Sequence, residues 1–491
     1  MLRKIRTIVA AVVFVLITLL FLDFTGTLHH WLGWLAKIQF LPAVMALNVV
    51  VIVVLVALTL IFGRIYCSVI CPLGILQDLL ARLRKKKNKY SYSGEVRWVR
   101  YPMLLVFIIA GVVGIGSLFQ LLAPYSAFGR IATMILQPVW MMGNNVLGTI
   151  AERADSYAFY TVDVWMKSLP VLIIASATLV VLFILAWRGG RTYCNTICPV
   201  GTILSFLARF SFLKIRFDEK KCKNCSLCSK NCKAACIDYK THTVDYSRCV
   251  VCGNCIDSCK FGALHYDNKR IHQKAETEGR TVDTSKRSFL LASALLAGGA
   301  MAQKKEKLMD GGLAELEDKV APSRQTPLTP PGFLSFDHFA QHCTGCQLCV
   351  SECPNDVLRP SSDLMHLMLP EMSYERGYCR PECTRCSEVC PAVPFLHVDK
   401  PEKSSIQIGH AVWIKKNCVV LTDQVECGNC ARHCPSGAIE MVPMDENDEE
   451  SPMIPAINEA ACIGCGACEY VCPSRPFSAI YVEGHEVHKK L

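Results

Sequence analysis

Cysteine is the residue through which this chain can do chemistry: there are 29 in 491 residues, and 24 of them fall into six sets of four. Cys222, Cys225, Cys228 and Cys232 follow the spacing C-x2-C-x2-C-x3-C, and Cys249, Cys252, Cys255 and Cys259 repeat it. Cys343, Cys346, Cys349 and Cys353 have the same spacing, as do Cys462, Cys465, Cys468 and Cys472, and here the last cysteine of each set precedes a proline. Cys379, Cys383, Cys386 and Cys390 are one residue wider at the first gap, while Cys418 stands well ahead of Cys427, Cys430 and Cys434. Three thiolates on one tight loop can take three corners of an iron–sulfur cubane, with the fourth corner supplied from across a pseudo-twofold. For the first two sets this assigns Cys222, Cys225, Cys228 and Cys259 to one cluster, and Cys249, Cys252, Cys255 and Cys232 to a second. Both sets depart from the usual pattern, with Lys233 and Lys260 where proline is expected, and the extra Cys236 competes with Cys232 as a ligand. Regular C-x2-C repeats in a chain of this length are metal chemistry rather than a disulfide framework. Zinc knuckles are the bland alternative, and the tandem spacing argues against them.

Four cysteines remain, in an internal repeat. Residues 63–82, GRIYCSVICPLGILQDLLAR, align without gaps with residues 190–209, GRTYCNTICPVGTILSFLAR. Cys67 and Cys71, and likewise Cys194 and Cys198, are four apart, which places both sulfurs of a pair on one face of a helical turn. Pro72 and Pro199 follow, at positions where a helix start needs no N–H. Buried cysteines that only pack are one reading. The other is a redox thiol pair, or a four-cysteine site shared by the two repeats, close to where a quinol headgroup would reach.

The elements that position these residues are hydrophobic. Over half of the chain (52%) is apolar, concentrated before residue 190, and four runs predict membrane spans: about 8–22, 41–62, 102–122 and 170–187. Arg3, Lys4 and Arg6 precede the first, and the connection after the second is rich in Lys and Arg from Arg82 to Arg100. The segments 24–40 and 123–169 carry few, so both ends of this four-helix unit are expected inside. Topology accounts for the net charge of +10 without nucleic acid. No span contains an internal His and no C-x-x-C-H occurs, which leaves no obvious haem ligation. His29 and His30, at the predicted outer end of the first span, read as interfacial.

The stretch Ser285–Gln303, SKRSFLLASALLAGGAMAQ, has a basic pair, 14 mostly apolar residues and an A-x-A ending. That apolar run is about 21 Å long as a helix, short of a hydrocarbon core of about 30 Å, and resembles the h-region of an export signal placed mid-chain. The proline-rich segment after it reads as a linker. The expected organisation is a multi-domain chain: an α-helical four-helix membrane domain over 1–215, an α+β ferredoxin-like two-cluster domain over 216–270, an internal signal or anchor over 285–303, a linker over 304–332 and a four-cluster ferredoxin-like domain over 333–491.

With these motifs in view, residues 1 to about 270 resemble the NapH-type membrane quinol dehydrogenase component, on four spans, two Cys-x3-Cys-Pro motifs and two inner clusters. From Ser285 onward the chain resembles the NapG/MauM-type exported four-cluster ferredoxins, with a twin-arginine-like signal in which Lys286 replaces the first Arg, and Pro330-Pro331-Gly332 before the first outer motif. The resemblance implies a fusion, and it implies ligand sharing between first and fourth outer motifs and between second and third. Cys343, Cys346 and Cys349 would then take Cys472, and Cys462, Cys465 and Cys468 would take Cys353. Cys379, Cys383 and Cys386 would take Cys434, and Cys418, Cys427 and Cys430 would take Cys390. The expected protein is an inner-membrane carrier with six [4Fe-4S] clusters that passes electrons from the quinone pool to an extracytoplasmic reductase or cytochrome. The rival readings are an assembly or regulatory protein for a metalloreductase, and a polyferredoxin facing the cytoplasm throughout and serving a soluble dehydrogenase.

Overall fold

A computed structural model describes residues 2–84, 90–156, 159–267, 319–333, 335–392, 398, 400–445 and 451–490. The signal-like stretch 285–303 and most of the linker lie outside the described residues.

Among the described residues, two helices are long and apolar enough to cross a membrane: α1 (Leu2–Leu22) and α10 (Leu169–Gly189), each 21 residues and so about 31 Å long. The other two expected spans are interrupted. Residues 41–62 divide into α2 (Phe40–Met45) and α3 (Val49–Phe62), because Leu47 takes a positive φ of 49° and Asn48 caps α3 by accepting from the Val51 N–H. Residues 102–122 divide into α6 (Arg97–Val113) and α7 (Gly116–Leu122), where Gly114 ends the first helix at φ 82°.

Between α3 and α6 the first repeat folds as α4 (Tyr66–Val69) and α5 (Pro72–Arg82); after α10 the second folds as α11 (Thr192–Thr196) and α12 (Pro199–Ala208). Pro72 and Pro199 occupy the first helical position, where no N–H is required.

One pair of helices has no counterpart in the hydrophobicity pattern. α8 (Pro124–Ile131) runs through a π-turn (Ala132–Leu136) into α9 (Gln137–Arg153). Its polar residues hide it from a hydropathy reading, yet every residue of α8 is buried. Arg130 explains part of this: its guanidinium donates to the carbonyls of Gln120 (2.9 Å) and Leu121 (3.3 Å), which are left without intrahelical partners at the end of α7.

The 216–270 unit is a small α+β body. β1 (Lys214–Phe217) pairs antiparallel with β2 (Leu264–Asp267), and α13 (Leu227–Lys230) and α14 (Asn254–Ser258) carry the cysteines. It is tied to the end of α3, where the N–H groups of Phe212 and Leu213 donate to the carbonyls of Leu60 (2.7 Å) and Ile61 (2.9 Å). In the C-terminal unit, β3 (Leu358–Pro360) pairs with β4 (Pro370–Met372), and β6 (Ile439–Pro443) with β7 (Met453–Ile457). The longest ladder, β5 (Ile406–Trp413) with β8 (Ile480–Lys490), joins the two halves of that unit.

Candidate iron–sulfur centres

The regular motifs owe their shape to one backbone device. In all four, the residue before the second cysteine and the residue after it take positive φ: Asn224 and Ser226, Val251 and Gly253, Gly345 and Gln347, Gly464 and Gly466. Left-handed residues on both sides of the middle cysteine wind the loop around a single point, so three thiols and several N–H groups face inward. A one-turn helix then presents the third cysteine: α13, α14, α15 (Leu348–Ser351) and α18 (Ala467–Val471). The two irregular motifs lack this winding. Thr384, ahead of α16 (Arg385–Val389), has φ −111°, and Gly428, ahead of α17 (Asn429–Arg432), has φ −152°.

Four cavities open on these thiols. Cys222, Cys225, Cys228 and Cys259 line one. In the neighbouring set Cys232 lies near Cys252 and Cys255, while Cys236, 3.5 Å from the Cys232 sulfur, hydrogen-bonds Cys232 and Cys249. This arrangement favours Cys232 over Cys236.

The C-terminal unit corrects the pairing that the resemblance implies. Cys343, Cys346 and Cys349 share a cavity with Cys390, not Cys472, and Cys379, Cys383 and Cys386 share one with Cys353, not Cys434. Cys418, Cys427 and Cys430 face Cys472 rather than Cys390, and Cys434 rather than Cys353 lies beside Cys462 and Cys465. The reason is topological. The β3–β4 hairpin connects the first and second motifs and β6–β7 connects the third and fourth, so each hairpin folds consecutive motifs onto one another.

Among the described residues, no group of three or more His, Cys, Asp or Glu side chains converges closely enough to hold a single metal ion. Sets of four thiols around a cavity suit a multi-atom cubane, whose metals stand between the sulfurs, better than a tetrahedral zinc. All 29 cysteines are free of disulfides.

Lys403 is a residue that the cysteine spacing could not reveal. It is buried, with Nζ 3.2 Å from the Cys379 sulfur, and donates to the carbonyls of Arg380 (2.6 Å) and Cys383. Burial opposes its charge, but the negative charge of the Cys379, Cys386 and Cys383 thiolates outweighs that and raises its pKa.

The four repeat cysteines are brought together. Cys67, Cys71, Cys194 and Cys198 are all buried in one core, within range of each other's charge. That core also reaches Cys252 of the 216–270 unit and Cys346 of the C-terminal unit.

Three family models match the chain. One described as a 4Fe-4S binding domain covers residues 44–90 and 169–218, in which Cys67, Cys71, Cys194 and Cys198 are the cysteines present. A 4Fe-4S dicluster domain covers 425–475, in keeping with the pairing of the last two motifs, and a second dicluster domain covers 245–357. The latter match spans the Cys249–Cys259 and Cys343–Cys353 motifs, which in the structure pack near opposite ends of α1: Gly253 approaches Leu2, and Cys346 adjoins Gly129 and Phe21. The methylamine utilization ferredoxin-type protein MauM of Paracoccus denitrificans is 32% identical over 33% of this chain and 73% of its own length. The ferredoxin-type protein NapF of Escherichia coli K12 is 28% identical over 32% of this chain and 87% of its own. The putative electron transport protein YccM of the same strain is 26% identical over 45% of this chain and 55% of its own. No solved structure matches. With 4Fe-4S domains over several of its cysteine motifs and a MauM relative matched over most of that relative's length, the chain belongs to the ferredoxin-type 4Fe-4S proteins and is an iron–sulfur electron-transfer protein.

Proposed function

We propose that this protein is a multi-pass inner-membrane electron conduit, a fusion of NapH-type and NapG/MauM-type parts. It takes electrons from quinol and delivers them to an extracytoplasmic reductase or cytochrome. Cubane clusters would supply one-electron chemistry at the six ferredoxin-type cysteine sets. The chain holds those sets apart and in order.

The observation that carries this reading is the position of the two ferredoxin-like units relative to α1. At its start, Arg3 pairs with Asp257 of the inner unit at 3.5 Å. Just beyond its end, the carbonyl of Thr25 accepts from Arg385 of the C-terminal unit at 2.8 Å. The helix between them is about as long as a hydrocarbon core is thick. Only 28% of its apolar stretch is buried, and 22% of that of α10, which supports reading both as lipid-facing. Ile8, Val12, Val15, Ile108, Val112 and Val180 stand exposed, an apolar surface that water would not tolerate at this extent.

The C-terminal unit is also seated on the helical part by buried contacts. The Ser126 hydroxyl donates to the Thr344 carbonyl at 2.5 Å, Gln137 to Ser351 at 3.0 Å, and Lys167 to Val350 at 3.0 Å. Such contacts favour a unit docked on its membrane partner over one that diffuses as a carrier.

The test is topology together with turnover. A reporter active only outside the cytoplasm should be active when fused after Leu491 and silent after Lys269, and purified protein in liposomes should oxidise a menaquinol analogue. A C-terminus found inside would transfer the assignment to a cytoplasmic polyferredoxin. Correct topology without quinol oxidation would favour an assembly role.

A further inference from the structure

We propose that the polar cavity between the end of α10 and the 216–270 unit binds a phosphate group carried by a larger molecule, the headgroup of an anionic phospholipid. The phosphate chemistry is read from the cavity itself, while the lipid rests on the membrane placement in the proposed function.

The cavity holds about 450 Å³, within the roughly 300–1,000 Å³ usual for small-molecule sites. Separate stretches of chain meet there. The connection between α5 and α6 supplies Arg84, Tyr90 and Ser91, the end of α10 supplies Arg188, α11 supplies Thr192, and the 216–270 unit supplies Arg248. None of the lining residues is Asp or Glu. Two of the arginines are fixed by the protein around them. Arg84 donates to the carbonyls of Trp187 (2.9 Å) and Arg188 (3.2 Å), which the end of α10 leaves without intrahelical partners. Arg248 donates through Nε to Asp245 at 2.7 Å, and through Nη1 to the Ser93 hydroxyl (3.5 Å) and the Gly94 carbonyl (3.4 Å). Its side chain is 5% exposed, and its buried Nη2 meets no acceptor among the described residues. A buried donor without an acceptor is unfavourable, and a ligand oxygen in the cavity would supply one.

The donor set selects phosphate. A carboxylate has two oxygens in one plane and is satisfied by a single guanidinium fork. A phosphate offers oxygens in several directions and can accept from guanidinium groups on different segments. The hydroxyls of Tyr90, Ser91 and Thr192 are neutral donors that suit the same oxygens. A bare phosphate would fill only part of so large a cavity, which leaves room for the rest of a headgroup. The place points to lipid. Arg188 stands at the end of the apolar stretch of α10, next to Trp187, which is 41% exposed. Leu83, next to Arg84, and Val96, in the cavity lining, are exposed as well. Tryptophan settles at the membrane–water boundary, and basic pockets at the cytoplasmic ends of spans take anionic headgroups.

The site also touches the electron path. Ala234 and Ala235, in its wall, lie between Cys232 and Cys236 in the chain, and Arg248 stands within charge range of Cys232. An anion bound against Arg248 offsets that positive charge. Binding should therefore disfavour the reduced, more negative state of the centre at Cys249, Cys252, Cys255 and Cys232, and lower its midpoint.

The test uses the full chain, purified without oxygen in a maltoside detergent and a phosphate-free buffer. It is titrated with phosphatidylglycerol, with phosphatidylcholine and with inorganic phosphate, and binding is read by native mass spectrometry and by the midpoint of that centre. The wild type should bind phosphatidylglycerol in preference to phosphatidylcholine, its midpoint should fall as it does so, and inorganic phosphate should compete. Arg188 is exposed, so Arg188→Gln leaves the core untouched; it should weaken binding by about tenfold, the loss of one charged hydrogen-bond partner. Arg153→Gln, the same change of charge outside the cavity lining, should bind as the wild type does. Should Arg188→Gln fail to fold, binding by the wild type should still weaken steeply with added sodium chloride. Failure of the wild type to bind either phosphatidylglycerol or phosphate, binding that Arg188→Gln leaves unchanged, or binding indifferent to salt overturns the site. Phosphate binding with no preference for phosphatidylglycerol over phosphatidylcholine upholds the phosphate site and overturns the lipid as its source. Quinol oxidation enters none of these readings, so failure of the site and failure of the proposed function are told apart.

Discussion

Replacing Lys403 with methionine isolates one charge beside one centre. The ammonium stands 3.2 Å from the Cys379 sulfur in a buried site, so it stabilises the more negative, reduced state of whatever Cys379, Cys383, Cys386 and Cys353 hold. For an added electron about 6 Å from the ammonium and an effective dielectric of about 20, Coulomb's law gives about 2.8 kcal/mol. For a one-electron couple, with 59 mV per tenfold change, that is about 120 mV. Loss of the N–H donor to the sulfur acts in the same direction. Lys403→Met should therefore lower the midpoint of one centre by about 100 mV and leave the others in place, while Lys403→Arg should retain most of the potential. The assay is an anaerobic redox titration followed by electron paramagnetic resonance. A midpoint unmoved by Lys403→Met, or a uniform shift across all centres, would refute the electrostatic role.

Three further outcomes follow from the geometry. Cys390→Ser should disturb the centre of the first C-terminal motif and Cys472→Ser that of the third; the reverse result, read from which set of signals changes, would restore the first-with-fourth pairing. Cys236→Ser should leave iron content unchanged, whereas Cys232→Ser should degrade the signal of the centre at Cys249, Cys252 and Cys255, with partial retention if Cys236, 3.5 Å away, moves in. Gly74→Ala should destabilise the helical domain by about 1–3 kcal/mol, the usual cost of overpacking, because the new methyl meets a backbone carbonyl that cannot swing aside; thermal unfolding in detergent measures it, and Gly94→Ala, with nothing within 4 Å of the new methyl, is the control.

By itself the sequence determined what is local. The C-x2-C-x2-C spacing specifies three inward-facing thiols within a loop of seven residues, because the left-handed turns on either side of the middle cysteine are set by that loop alone. Pro72 and Pro199 mark the helix starts for an equally local reason, the missing N–H. Tertiary structure decided everything that depends on which segments meet. The fourth thiol of each C-terminal set comes from the neighbouring motif because a hairpin folds the two together, a choice that spacing does not encode. Apolar content could not reveal the breaks at Leu47 and Gly114, since these are backbone conformations within hydrophobic runs. Nor could it find α8, whose Arg130 is accommodated by carbonyls that only the end of α7 provides. The repeat showed two Cys-x3-Cys-Pro pairs; it took the fold to set them face to face, with the arginine of each repeat bonded to the first cysteine of the other, because only the packed pair of repeats creates one shared interior for the four sulfurs.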